Sequence, residues 1–142
     1  MSTIDNKFMP GGFPSPAEPW REQPLDLRDL LIPHPEATFF LRMQGPAMRD
    51  AGISDRDILI IDRTFLPVQG SIVTIVLNRK LLVRRIFFTP NGIALRSGHV
   101  RYPAFRVQPS MQYELWGVVI YAIHPLADQA VFTRGISCRP IL

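Results

Sequence analysis

The chain has 142 residues, of which 46% are hydrophobic, with 16 Lys and Arg against 12 Asp and Glu for a formal net charge of +4. This is the size of a single domain with one sizeable core, and no run of 18 apolar residues suggests a transmembrane helix. The one cysteine, Cys138, excludes an internal disulfide and a structural zinc site of the thiolate kind.

Residues 1–24 read as an extended tail. The opening "MSTIDNKFMPGG" lacks the basic start and apolar stretch of a secretory signal, so a cytoplasmic location is expected. Prolines at 10, 14, 16, 19 and 24 remove backbone donors and fix φ, which rules out a central strand or a continuous helix. The Gly11-Gly12 pair is a segment that a protease enters easily.

A compact, mainly β domain is expected over residues 25–126. "PLDLRDLLIPHP" places Leu27, Leu30 and Leu31 on one helical face, with Asp26 as N-cap, and Pro33 and Pro35 stop the helix within two turns. Strands are expected at 37–43, 56–62, 71–77, 80–88 and 93–97. Asn78-Arg79 forms a hairpin connection and "PNG" (90–92) a turn. "YELWGVVIYAIHP" (113–125) reads as a long apolar strand in the interior. Residues 127–142 have weak periodicity and read as a C-terminal tail or a helical turn. Short strands at regular spacing with little helix indicate a β fold. There is no helix-turn-helix pattern.

His34, His99 and His124 are far apart and each adjoins a turn-like residue, so they read as surface or turn histidines and no metal site is expected. "NRKLLVRR" (78–85) alternates basic and aliphatic residues, the pattern of a strand with one basic face. Arg84, Arg85, Arg96, Arg101 and Arg106 interleave with Phe87, Tyr102 and Phe105. Such interleaving can contact nucleic acid. At this net charge a solvated hairpin face is the better reading, and direct nucleic-acid binding is expected to be weak or absent.

Several segments in order carry a family likeness. The first is Gly45, Pro46, Ala47, Met48, then Gly52, Ile53, Ser54, Asp55, Arg56, Asp57, then the strand Ile58 to Asp62. The second is Val83, Arg84, Arg85, Ile86. The third is Gly11, Gly12, Phe13, Pro14, Ser15, Pro16, and the last is "LWGVVIYAIHP". Together they resemble the LexA/UmuD family of self-cleaving serine peptidases, most of all its UmuD branch, the accessory subunits of a DNA-damage polymerase. The family pattern runs Gly-Asp-Ser-Met, then Gly-Ile-x-Asp-Gly-Asp and an aliphatic strand, with Val-Lys-Arg/Lys some 35 to 40 residues later. Its cleavage segment resembles Cys/Ala-Gly before Phe-Pro-Ser-Pro.

The resemblance implies a Ser–Lys dyad, a variant of triad chemistry in which a buried neutral lysine takes the serine proton. Free lysine titrates at about 10.4, so burial must lower it. Carried over residue by residue, the nucleophile falls on Ala47 and the base on Arg84. A methyl group cannot attack a carbonyl, and a guanidinium, with a pKa above about 12, cannot act as a base near neutrality. Pro46 replaces the Asp before the nucleophile and removes one backbone N–H near a would-be oxyanion. In subtilisin the loss of nucleophile or base alone costs on the order of a million-fold. An engineered Ser-to-Ala change accounts for Ala47 but not for Pro46 or Arg84.

The resemblance therefore implies an SOS-response accessory protein without catalysis, needing no cofactor and no membrane. It implies a homodimer, or a mixed dimer with an active homologue, that binds a UmuC-type Y-family translesion polymerase and, as a further partner, a RecA-type filament. One alternative is a substrate cleaved in trans at Gly11-Gly12. Another is a peptidase with relocated residues, such as Ser54 and Lys80. Lys80 lies roughly 13 Å along the strand from Arg84, at a hairpin tip.

Overall fold

In a computed structural model, which describes residues 11, 12, 24–99 and 101–127, the chain forms one antiparallel sheet. Its strands are β1 (Thr38–Arg42), β2 (Ile58–Asp62), β3 (Ile72–Leu77), β4 (Lys80–Thr89), β5 (Gly92–Arg96), β6 (Phe105–Arg106) and β7 (Tyr113–Ile123). The spatial order is β1-β2-β7-β3-β4-β5-β6. The mainly β architecture expected from the sequence is thus the one observed. The two expected tails lie almost wholly outside the described residues. Gly11 and Gly12 are described, and both are exposed.

The one α-helix among the described residues, α1 (Leu27–Leu31), starts where Asp26 accepts a hydrogen bond from the Arg28 N–H at 3.0 Å. Its leucine face does not pack into the core: Leu27 and Leu30 are exposed, and the helix buries no residue. The β3–β4 hairpin turns on Asn78 and Arg79 with φ of +50° and +66°. Two positive φ values are what a type I′ turn requires, and its twist matches that of the flanking strands. β6 was not expected; two residues after a proline are too short to show a period.

β7 departs from expectation in a useful way. Its backbone is interior, paired to β2 on one side and β3 on the other. Yet none of its eleven side chains is buried, and Tyr113, Tyr121 and Ile123 are exposed. Hydrogen bonding makes a strand central in a sheet without covering its whole length: Leu115, Trp116, Val118 and Val119 in the middle of β7 are half-buried against the core, while its two ends stand open.

Apolar side chains divide into two clusters. Val73, Ile75 and Leu77 of β3 alternate into one, with Ile86, Ile93, Leu95 and Val107. The other contains Phe39, Met43, Ala47, Met48, Ile53, Leu59, Ile61 and Val83. Side chains alternate across a strand, so the two clusters occupy opposite faces. Val83 lies on β4, far from β1 in strand order, yet packs with Phe39 and Met43. The sheet must curl to bring these ends together. Register shifts in the β2–β7 and β3–β7 pairings, next to Ile61 and Ile75, mark irregularities where such bending concentrates.

Gly117 sits at one of these close approaches. A Cβ there would lie 2.7 Å from Ile61 Cγ2 and 3.1 Å from the Asp62 carbonyl oxygen. Strand β2 is itself bracketed by two buried carboxylates. The Asp57 carboxylate accepts from the Ser54 N–H at 2.8 Å and meets His124 Nδ1 at 2.6 Å. Asp62 meets His34 Nδ1 at 2.8 Å and accepts from the Thr64 N–H and hydroxyl. Both histidines are exposed, in line with the sequence reading, but each has a structural task. Burial pushes the Asp62 carboxyl upward, yet the hydrogen bonds from Thr64 and His34 outweigh this and hold it below its ordinary value of 3.8.

Two outcomes follow for stability. G117A should cost about 2 kcal/mol by overpacking, read as a lower urea midpoint with an unchanged m-value. D62N should cost about 2 kcal/mol at neutral pH. Because the folded pKa is depressed, Asp62 contributes fully above its unfolded value and loses that contribution as pH falls through the folded one. The gap between D62N and the unaltered chain should therefore narrow on acidification below pH 3.8, as read from paired urea titrations.

Candidate functional site

Residues 43–57 form a compact turn between β1 and β2, and its hydrogen bonds explain the sequence pattern. The Gly45 N–H donates to Asp55 Oδ1 at 2.7 Å. Met48 and Ile53 are buried and joined by the Ile53 N–H donating to the Met48 carbonyl at 3.1 Å. Gly52 closes a short 3-10 turn, Arg49–Ala51, at φ +88°, a left-handed position that glycine fills without strain. The Met43 N–H donates to the Asp57 carbonyl and the Arg56 N–H donates to the Met43 carbonyl, both at 2.8 Å, extending the contact between β1 and β2.

A second stretch, Ser97, Gly98, His99 and Tyr102, closes on this turn. The Gly98 N–H donates to the Ala47 carbonyl at 2.6 Å, and the Asp50 N–H donates to the Gly98 carbonyl. A Cβ on residue 98 would lie 2.6 Å from the Ala51 nitrogen, so only glycine allows this approach. The Ser97 hydroxyl donates to the Tyr102 carbonyl at 2.7 Å, and His99 stacks edge-on against the Tyr102 ring at 5.7 Å. These contacts fix Tyr102 beside the turn.

The result is a groove of about 380 Å³ between the end of β1 and the first half of β4. Arg42, Gly45, Pro46 and Ala47 line one side, and Leu81, Val83, Arg84 and Tyr102 line the other. The two positions singled out from the sequence, 47 and 84, which are 37 residues apart in sequence, thus face a common cavity, with Pro46 beside them. Ala47 is buried. Arg84 is half-buried, and its Nη1 donates to the Val83 carbonyl at 2.7 Å. Burial lowers the Arg84 guanidinium from its ordinary value and the Tyr102 phenol opposes that shift; a guanidinium still remains protonated near neutrality.

Among the described residues, the groove's lining contains no hydroxyl nucleophile of the serine type, no lysine and no carboxylate. Ser54 lies instead in the turn before β2, where its backbone serves Asp57. Lys80 is exposed at the start of β4, and neither residue lines the groove. Gly11 and Gly12 are not among the lining residues. Among the described residues no group of His, Cys, Asp and Glu could hold a metal ion.

Sequence reasoning missed Arg42 and the clamp by Gly98. It met Tyr102 only as part of a basic and aromatic stretch. A glycine between Ser97 and His99 was the available signal, but nothing local shows which turn it touches. The remaining basic residues lie elsewhere: Arg96 stacks over Phe87 at 4.8 Å, and Arg85 Nη1 donates to the Gly70 carbonyl at 2.7 Å.

Comparison with known proteins bears on this arrangement. Residues 6–120 match the family model described as Peptidase S24-like. Protein MucA of Salmonella typhimurium is 36% identical over 118 residues, covering 81% of this chain and 80% of that protein. Protein ImpA of Escherichia coli is 39% identical over 113 residues, covering 80% and 77%. The LexA repressor of Paracidovorax citrulli is 31% identical over 109 residues, covering 77% of this chain and 48% of the repressor. With a curled antiparallel sheet, a groove between the β1–β2 turn and β4, and relatives that align over most of its length, the chain belongs to the peptidase S24-like, LexA/UmuD family.

Proposed function

We propose that this chain is a UmuD-like accessory protein of DNA-damage tolerance that acts by binding and not by cleavage. The observation that carries the reading is the groove shared by Ala47 and Arg84. At the position where the family resemblance expects a serine there is a methyl group, and where it expects a lysine there is a cation that keeps its proton. Pro46 has no N–H to offer an oxyanion. The frame around them is retained: the Gly45–Asp55 and Gly52 devices still build the turn.

The open ends of β7 support association. Tyr113, Tyr121 and Ile123 are exposed on the longest strand, and exposed apolar area of this kind suits a protein–protein contact. In this reading the chain pairs with itself or with an active homologue, and the pair docks a UmuC-type Y-family polymerase, with a RecA-type filament as a further partner. A second reading takes the exposed Gly11-Gly12 pair as a site cleaved in trans by that homologue.

The purified chain, incubated at alkaline pH where a neutral lysine would work best, should keep its full mass by mass spectrometry. Shortening of the chain on its own would overturn the non-catalytic reading. Co-expressed with a translesion polymerase of the Y family, it should co-purify as a dimer; a stable monomer that binds no such polymerase sinks the proposal. Mixing with an active relative should remove the first 11 residues if the second reading holds, and an intact tail counts against it.

A further inference from the structure

We infer that the groove beside Ala47 is a receptor for an extended peptide segment bearing an acidic side chain. This rests on the non-catalytic reading of the same groove and names the chemistry of what it holds.

The first support is charge. Arg42 and Arg84 both line the groove, and among the described residues no Asp or Glu does. Among the described residues neither arginine forms an ion pair. Arg84 spends one donor on the carbonyl of its own neighbour, Val83. Arg42 Nε is buried with no hydrogen-bond partner. A buried donor without an acceptor is costly, and a guanidinium fork fits a carboxylate geometrically, with two parallel hydrogen bonds. A lysine base would need to lose its proton to function; an arginine in its place is a fixed positive charge suited to holding an anion.

The second support is the backbone. β1 is an edge strand, paired only with β2. β5 pairs with β4 only from Arg85 to Thr89, so Lys80 to Arg84 are paired on the β3 side alone. The groove is therefore flanked by two stretches of strand, Leu41–Arg42 and Leu81–Arg84, each with an edge that no described strand covers. Unpaired strand edges accept an added extended chain through main-chain hydrogen bonds, while pockets choose its side chains. A free anion would use the arginines but not these edges; a peptide with a carboxylate uses both. Ala47 supplies only a methyl group at this point, so it can bound the cavity without engaging a carbonyl chemically.

The test uses the full chain and two short fluorescein-labelled peptides, identical except for a central Glu or Gln, read by fluorescence anisotropy at low and high salt. The Glu peptide should bind on the order of ten-fold more tightly than the Gln peptide. That preference should shrink at high salt, and R84Q or R42Q should abolish it, while R28Q on the exposed helix α1 should not. Mass spectrometry of the same samples should show chain and peptide intact. Equal affinity for the two peptides, no binding, or an undiminished preference in both R84Q and R42Q overturns the inference while an intact chain leaves the non-catalytic reading standing. Shortening of the chain or the peptide overturns both. The Glu–Gln comparison on the unaltered chain decides the matter even if an arginine variant fails to fold.

Discussion

Asp57 and Asp62 stand at the two ends of β2, both fully buried, and a charge in that position is tolerable only when its oxygens are hydrogen-bonded. The partners come from distant parts of the chain. His34 reaches Asp62 from the segment before β1, and His124 reaches Asp57 from the end of β7. Between them lie Leu59, Ile60 and Ile61, each essentially without solvent contact. Fully burying such a side chain contributes about 1.5–3 kcal/mol, and the strand can sink this deep because its charged ends are capped. β1 and β7 both pair to it, so the position of the β1–β2 turn is inherited from β2.

The groove is a consequence of that placement. The turn after β1 is held from below by Asp55 and Asp57 and from the side by Gly98. β4 arrives opposite because the sheet curls until Val83 joins the cluster around Phe39 and Met43. Nothing in this construction depends on a nucleophile or a base. Scaffold and chemistry are separable here: the hydrogen bonds that shape the turn use glycines, aspartates and backbone groups, and the residues at 46, 47 and 84 can change without disturbing them.

The strands and the shape of the turn were legible in the sequence because their signals are local. Short apolar segments between turn signals marked β1 to β5, Asn78-Arg79 marked the hairpin, and the spacing from Gly45 to Asp62 marked the family. What could not be read depends on contacts between distant residues. The His34–Asp62 and His124–Asp57 pairs join positions 28 and 67 residues apart, and a lone histidine beside a turn gives no sign of its partner. Gly98 is the same case: its reason is a backbone 2.6 Å away, at Ala51. The openness of β7 was hidden for another reason. An apolar run predicts that a strand is central, which it is, but not whether its faces are covered. The leucines of α1 misled in a related way, since a one-sided pattern shows that a helix could pack and not that it does.

His124 lies just beyond β7, and its bond to Asp57 reaches the base of the turn that carries Ala47. A fragment ending before that residue would keep every strand yet strip a buried carboxylate of its partner at the point where the turn is anchored. A fragment beginning after His34 would do the same at the other end of β2. Boundaries outside 34–124 keep both histidine–carboxylate pairs intact, which makes them the ones to choose when the groove is transplanted or fused to another protein.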